Sequence, residues 1–521
     1  MMKKKYLLVF FVLGNLLFFY SCTQKKESRE TIRFTDNWKF HQSDIQGASD
    51  TSFDDSGWRV LDLPHDWSIE GAFSKDHPAS AGAGALPAGI GWYRKTFTLP
   101  ESDQNKLFFI DFDGIYQNSK VWINGHYLGN RPFGYISFRY ELTPYLHFGD
   151  RENVIAVRVD NSQQPNSRWY SGSGIYRNVW LVKTNKVYVD HWGTYITTPE
   201  VSEQKAVIHI ETKVKNRADR GQPVNLITHI QDKNGNRVKS IAEEKFIPKD
   251  SLEKFVHEVS INNPELWSVD NPVLYSAVSE VEYEGEVHDR YETHLGIRSF
   301  RFDRDKGFFL NGQSIKIKGV CEHHDLGCLG AAVNKAAIRY RLEKLKEMGV
   351  NGIRTAHNPP SPELLDLCDE MGFVVMDESF DVWKKKKVKY DYHIYWDEWH
   401  KRDLEDLVLR DRNHPSIFMW CIGNEILEQW DSTGIPIARE LAGIVRNLDT
   451  TRPITAGLND PQPHNNLYKS GALDLVGYNY HNELFDAFQE DFPGERFIAT
   501  ETTSALATRG EYDMPSDSIR R

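Results

Sequence analysis

From about Phe300 the chain repeats one unit, a short apolar run of strand length followed by a stretch with helical spacing. IKIKGV precedes Asn334 to Met348, GVNGIRTA precedes Pro362 to Met371, and FVVMDES precedes a helix through Trp399 to Arg410. SIFMWCIGNE precedes a helix around Ile437 to Leu448, and PITAGL, LDLVGYNY and RFIATET follow. Repeated β-then-α units build a parallel sheet with helices outside, and this many units imply a (β/α)8 TIM-type barrel. Seven strands can be counted and no eighth. The barrel is therefore expected to lack its last βα unit, and the chain to be a truncated version of a longer protein.

Upstream the pattern is all β. Residues 31–185 hold short strand-like runs such as KLFFIDFDG, KVWINGHYLG and NVIAVRVD, which suit a jelly-roll β-sandwich. Asn124-Gly125 marks a hairpin turn. Residues 186–299, with AVIHIETKV and VNLITHIQD, have the length of one immunoglobulin-like β-sandwich. The barrel is assigned 300–521.

The first five residues carry three lysines, and Tyr6 to Tyr20 is apolar, so 1–22 reads as a signal peptide. Ser21-Cys22 resembles a lipoprotein cleavage site, with a tether over 23–30. Export is expected, to the periplasm or, through lipid on Cys22, to the outer membrane of a Gram-negative bacterium. Net charge is −11 and the sole cationic cluster, Lys384 to Lys389, is short, which excludes a nucleic-acid role. Cys321, Cys328, Cys368 and Cys421 are not spread as a disulfide scaffold would be, and are expected to be buried free thiols.

Active sites of such barrels lie at the C-terminal ends of the strands. Glu425 ends the fourth strand and Glu501 the seventh, so both carboxylates can face one cavity. Two acids across a sugar-sized gap are the machinery of glycoside hydrolysis: one protonates the leaving oxygen, the other attacks or activates water. Other strand ends supply His323, Arg354, His357, Asn358, Glu378, Asn424 and Tyr480. Glu322-His323-His324-Asp325 lacks a zinc-ligand spacing, and no metal is assigned there.

The order of domains resembles glycoside hydrolase family 2, β-galactosidase-like branch. LPHDW, FDGIYQNSKVWINGHYLG and RWYSGSGIYRNVW are similar to its sugar-binding domain, and GVCEHHD, IRTAHNPP and GNE to its barrel. The resemblance implies a retaining exo-glycosidase with Glu425 as acid/base and Glu501 as nucleophile. Asn424 matches the residue on the sugar 2-OH, His323 and His357 match hydroxyl-binding residues, and Arg354 matches an arginine beside the nucleophile. Tyr480 is placed to hydrogen-bond Glu501. Glu378, Arg168 and Trp169 stand open between sugar contact and structural support, the latter two at a domain contact. DESFDVWKKKK does not match the magnesium-ligand pair of the bacterial β-galactosidase pattern, so no cofactor is assigned and magnesium stays open. A sugar-contacting histidine after the nucleophile aligns with Ser504. The expected substrate is a β-galactoside on a glycan, with β-glucuronidase, β-mannosidase and a non-catalytic carbohydrate-binding lipoprotein as alternatives. Oligomeric state is open.

Overall fold

The computed structural model describes residues 28–503. The signal-peptide and Cys22 readings and Ser504 lie outside that range. Arg29–Arg33 already pairs antiparallel with Val179–Thr184, so the first sandwich starts two residues before the boundary read at Thr31. Its two sheets have four and six strands and enclose a core around Trp38, Tyr93, Phe112 and Val157. The second sandwich stacks sheets of three and four strands. Their alternating apolar residues, Ile208 and Ile210 among them, point inward against Ala277 and Tyr275.

The barrel follows with seven parallel strands in chain order: β1 (Gly319–Glu322), β2 (Gly352–Thr355), β3 (Val374–Glu378), β4 (Ile417–Asn424), β5 (Ile454–Leu458), β6 (Val476–Asn479) and β7 (Phe497–Glu501). β4 is buried along its whole length, as its unbroken apolar run requires in a sheet covered on both faces. Its outer helices are α1 (Lys335–Glu347), α2 (Pro362–Met371), α3 (Trp396–Asp411) and α4 (Gly434–Leu448). Asn334 caps α1 by accepting from the Ala337 N–H, and Ser361 caps α2 ahead of Pro362, at the position where a missing N–H costs nothing. A small three-stranded sheet, 300–314, closes the barrel base with Phe302 and Phe308 against Phe418.

β1 and β7 are the edges of the sheet, and the Cys321 thiol reaches across to the Thr500 carbonyl at 3.3 Å. This edge corrects the cysteine reading. Cys368 and Cys421 are buried, but Cys321 is exposed, since among the described residues no strand pairs with its side of β1, and Cys328 is exposed on the turn that follows. All four are free thiols.

The jelly roll is packed into the barrel as well as tethered to it. Tyr116, Phe133, Tyr135 and Tyr176 share one core with the barrel helices. Buried Arg177 donates to the Pro359 and Pro360 carbonyls, fixing the loop after β2 that carries His357. Arg131 bridges to Asp403 and Asp406 on α3 at 2.6 Å.

Candidate active site

The C-terminal ends of β2, β3, β4, β6 and β7 deliver one connected polar network. At its centre is Arg354, the third residue of β2 and 4% exposed. Its guanidinium donates to Glu378 Oε2 (2.8 Å), Glu501 Oε1 (2.7 Å) and Asn424 Oδ1 (2.9 Å). Burial works against its charge, yet Glu378 above all holds its pKa well above the ordinary value. One rigid fork thus fixes the ends of three strands.

Glu378 is fully buried, and its other oxygen lies 2.7 Å from His357 Nδ1. Burial pushes its carboxyl up, but Arg354 and His357 outweigh that and hold it below the usual range. Both oxygens are engaged by protein partners, which favours the structural-support side of the two roles left open for Glu378. It holds Arg354 and His357 in place. His357 Nε2 in turn lies 3.6 Å from Glu501 Oε1.

Glu425 follows β4 directly with φ +45°, a left-handed conformation uncommon for a side chain of this size. Successive residues of a strand face opposite sides. The left-handed turn breaks that alternation, and Asn424 and Glu425 reach the same partner. Asn479 Nδ2, at the end of β6, donates to Asn424 Oδ1 and to Glu425 Oε1, both at 3.1 Å. The Glu425 N–H donates to the Gly457 carbonyl at 2.7 Å. From Glu501 through Arg354, Asn424 and Asn479 to Glu425, the two acids are therefore joined by continuous hydrogen bonds. Glu501 carries an ion pair; among the described residues Glu425 carries none.

Asn424 is held from its other side by Asp381, which accepts from its Nδ2 at 2.9 Å. Arg168, reaching over from the jelly roll, forks onto both Asp381 oxygens at 2.5 and 2.9 Å, and Lys387 adds a bond of 2.8 Å. Burial would raise the Asp381 carboxyl, but Lys387 and Arg168 drive it far below its usual value. Arg168 is thus engaged in the domain contact. Lys387, part of the short cationic cluster Lys384 to Lys389, has a largely buried side chain and also donates to the Asn424 carbonyl.

Trp169 lies on the rim, its ring 5.1 Å from His323 and 5.5 Å from His357. Burial, with His357 nearby, pushes the His323 imidazole down to about 4, so it is neutral near pH 7. A cavity beside them is walled by Phe133, Tyr135, Phe380 and Tyr392, joined by Arg168 and Asp381. The Tyr480 N–H donates to the Glu501 carbonyl at 2.6 Å. Asn358 is not joined to the network: it is buried in the turn after β2, with Nδ2 on the Pro359 carbonyl. Among the described residues no group of three His, Cys, Asp or Glu is placed to hold a metal ion.

Four participants escaped the sequence reading: Asp381, Lys387, Asn479 and Gly457. A Cβ on Gly457 would stand 2.9 Å from both Arg354 Nη2 and Asn479 Oδ1, so β5 contributes an empty space. Asn479 ends β6, and the strand-end rule that picked its neighbour Tyr480 applies to it equally.

Comparison with known proteins agrees with this geometry. Family models match the glycosyl hydrolases family 2 sugar-binding domain over residues 73–185, the family 2 middle domain over 187–298 and the family 2 TIM barrel domain over 303–493. The chain belongs to glycosyl hydrolase family 2. It is 50% identical over 520 residues to β-galactosidase BoGH2A of Bacteroides ovatus, covering 94% of this chain and 61% of that protein. It is 38% identical over 484 residues to a putative β-glucuronidase of Formosa agariphila, covering 93% of this chain and 44% of that one. A family 2 crystal structure from Bacteroides cellulosilyticus superposes with TM-score 0.88 at 40% identity, covering 91% of this chain and 61% of that one. The chain thus spans about 60% or less of the length of these relatives. Relatives of the family divide between galactosidases and glucuronidases, so membership does not fix the sugar.

Proposed function

We propose that this protein is a retaining exo-β-galactosidase, with Glu501 as nucleophile and Glu425 as acid/base. The observation that carries the assignment of roles is the asymmetry between the two acids. Glu501 Oε1 accepts from the Arg354 guanidinium and has His357 close by, which fixes the position of the carboxylate that would attack. Glu425 Oε1 accepts from the neutral Asn479 amide and makes no ion pair among the described residues, which leaves it as the candidate donor to the leaving oxygen.

Glu501 attacks the anomeric carbon while Glu425 gives its proton to the glycosidic oxygen, and the aglycone leaves. Glu425, now ionised, takes a proton from water, which attacks the same carbon and releases Glu501. Asn424 is held by Arg354, Asn479 and Asp381, which fixes which end of its amide meets the sugar 2-OH. Trp169 and His323 give a flat, partly apolar wall for the sugar ring.

Galactose is favoured over a uronic acid by charge. Arg168 and Lys387 flank the pocket. Both cations are already matched by Asp381, whose charge would repel a substrate carboxylate. Similarity to BoGH2A points the same way. We also place the enzyme outside the cytoplasm, on the basis of the signal-like N-terminus. The test is hydrolysis of nitrophenyl β-galactoside, β-glucuronide and β-mannoside by the wild type, Glu501→Gln and Glu425→Gln. Selective turnover of the galactoside is expected, lost at least about 1,000-fold in Glu501→Gln, the scale of removing a covalent nucleophile. Preference for the glucuronide would overturn the sugar assignment. Turnover by Glu501→Gln would overturn the mechanism.

A further inference from the structure

At the end of the barrel opposite the active site, a cavity of about 290 Å³ lies between the immunoglobulin-like sandwich and the loops entering β4 and β5. Its walls include Thr197 and Ser299, with Arg298, Asn413 and Arg452. Arg298 donates through Nε to the Pro415 carbonyl and through Nη2 to the Ile417 carbonyl, leaving Nη1 without a protein acceptor among the described residues. The Thr197 and Ser299 hydroxyls likewise have no side-chain or backbone partner there.

The charge balance of this seam is unusual. Arg298 and Arg412 form no ion pair among the described residues. Arg412 is buried, and its guanidinium meets only the carbonyls of Leu448 and Trp192, with its face on Tyr195. Arg452 is matched by Asp449 at 2.7 Å, and His414 by Asp369 at 2.6 Å. Two guanidinium groups, Arg412 buried and Arg298 half-buried, therefore make no ion pair among the described residues, whereas buried cations are ordinarily paired. Burial pulls the Arg298 guanidinium down to about 9, with Arg452 adding to the effect and Asp449 and Asp369 offsetting it only in part. Arg298 Nη1 and two hydroxyls are the donor set that a tetrahedral oxyanion satisfies.

We propose that this cavity binds a small oxyanion, sulfate or phosphate, with Arg298 as its charged anchor and the Thr197 and Ser299 hydroxyls as further donors. The bound anion neutralises the seam and pins the sandwich to the barrel base. Because the site lies away from the acids, the inference does not depend on the sugar or the mechanism.

The test follows the melting temperature of the full chain while sulfate, and separately phosphate, replaces chloride at fixed ionic strength. A saturable rise is expected in the wild type, with its midpoint shifted at least about tenfold to higher concentration in Arg298→Gln, the loss of one charge-assisted contact. Arg298→Gln also loses bonds to two carbonyls, so Thr197→Glu provides a second arm by placing a carboxylate on the cavity wall. That variant is expected to melt higher without sulfate and to lose the sulfate response. Galactose 6-sulfate as titrant separates a free anion from one carried on a sugar; binding of either with the same dependence on Arg298 supports the site. A rise that never saturates, or one equal in wild type and both variants, is general salt exclusion and overturns the proposal.

Discussion

Arg354 and Glu378 show how much of the site rests on side chains that hold one another in place. Glu378 is fully buried between Arg354 and His357, so Glu378→Gln leaves Arg354 with Glu501 as its one remaining ion-pair partner among the described residues. Breaking a buried pair from one side costs about 3–5 kcal/mol. Urea denaturation of Glu378→Gln is expected to show a loss of that order together with reduced kcat; unchanged stability would contradict the pairing. Glu425→Gln is expected to divide substrates by leaving group. Nitrophenolate departs without a proton, so galactosyl-enzyme still forms, but water attack then lacks its base. Stopped-flow traces should show a burst of nitrophenol followed by slow turnover, and a proportionate loss without a burst would argue against Glu425 as acid/base. Both acids were legible in the sequence because each sits where an apolar run ends. The support around them was not. Which carboxylate meets which cation depends on strands 24 to 147 residues apart.

At the scale of elements, strand order did most of the work. A parallel sheet in chain order puts every strand's C-terminal end on one face, and the (β/α) alternation was readable from periodicity alone. The left-handed turn at Glu425 and the space at Gly457 were not readable, because each is defined by what surrounds it. Gly457→Ala tests this. It adds one methyl group, 2.9 Å from two network atoms, on a fully buried strand. Displacing Arg354 and Asn479 by a fraction of an ångström is expected to lower kcat about tenfold or more, since small misplacements of reacting groups are costly. KM should change less. Activity equal to wild type would show that the network tolerates movement the account says it does not. Lys387 teaches a similar lesson: a run of lysines reads as solvated surface, yet one of them turns inward because Asp381 and the Asn424 carbonyl wait there.

At the scale of the molecule, two β-sandwich domains pack on the barrel. The jelly roll enters the site through Arg168 and Trp169, and the immunoglobulin-like sandwich braces the base. The domain order was visible in the sequence, and Arg168 was already a candidate for a domain contact; Arg131 and Arg177 were not, because they look like ordinary surface arginines until their partners are in place. One base contact sets a pH dependence. Asp369 raises the pKa of His414 to about 9 against the cost of burial. A raised folded-state pKa stabilises fully below the unfolded value of about 6.5, and that stability is lost as pH rises through about 9. The stake is on the order of 3 kcal/mol. Unfolding free energy should fall between those pH values in the wild type, and His414→Gln should flatten the slope; parallel slopes would refute the linkage. The central claim, that Glu501 attacks the anomeric carbon, is tested most directly by trapping. The chain is treated with a 2-deoxy-2-fluoro-β-galactosyl fluoride, digested, and the labelled peptide identified by mass spectrometry. The account predicts a single fluorogalactosyl ester on Glu501. A label on Glu425 or another residue, or none on protein that turns over galactosides, would contradict it.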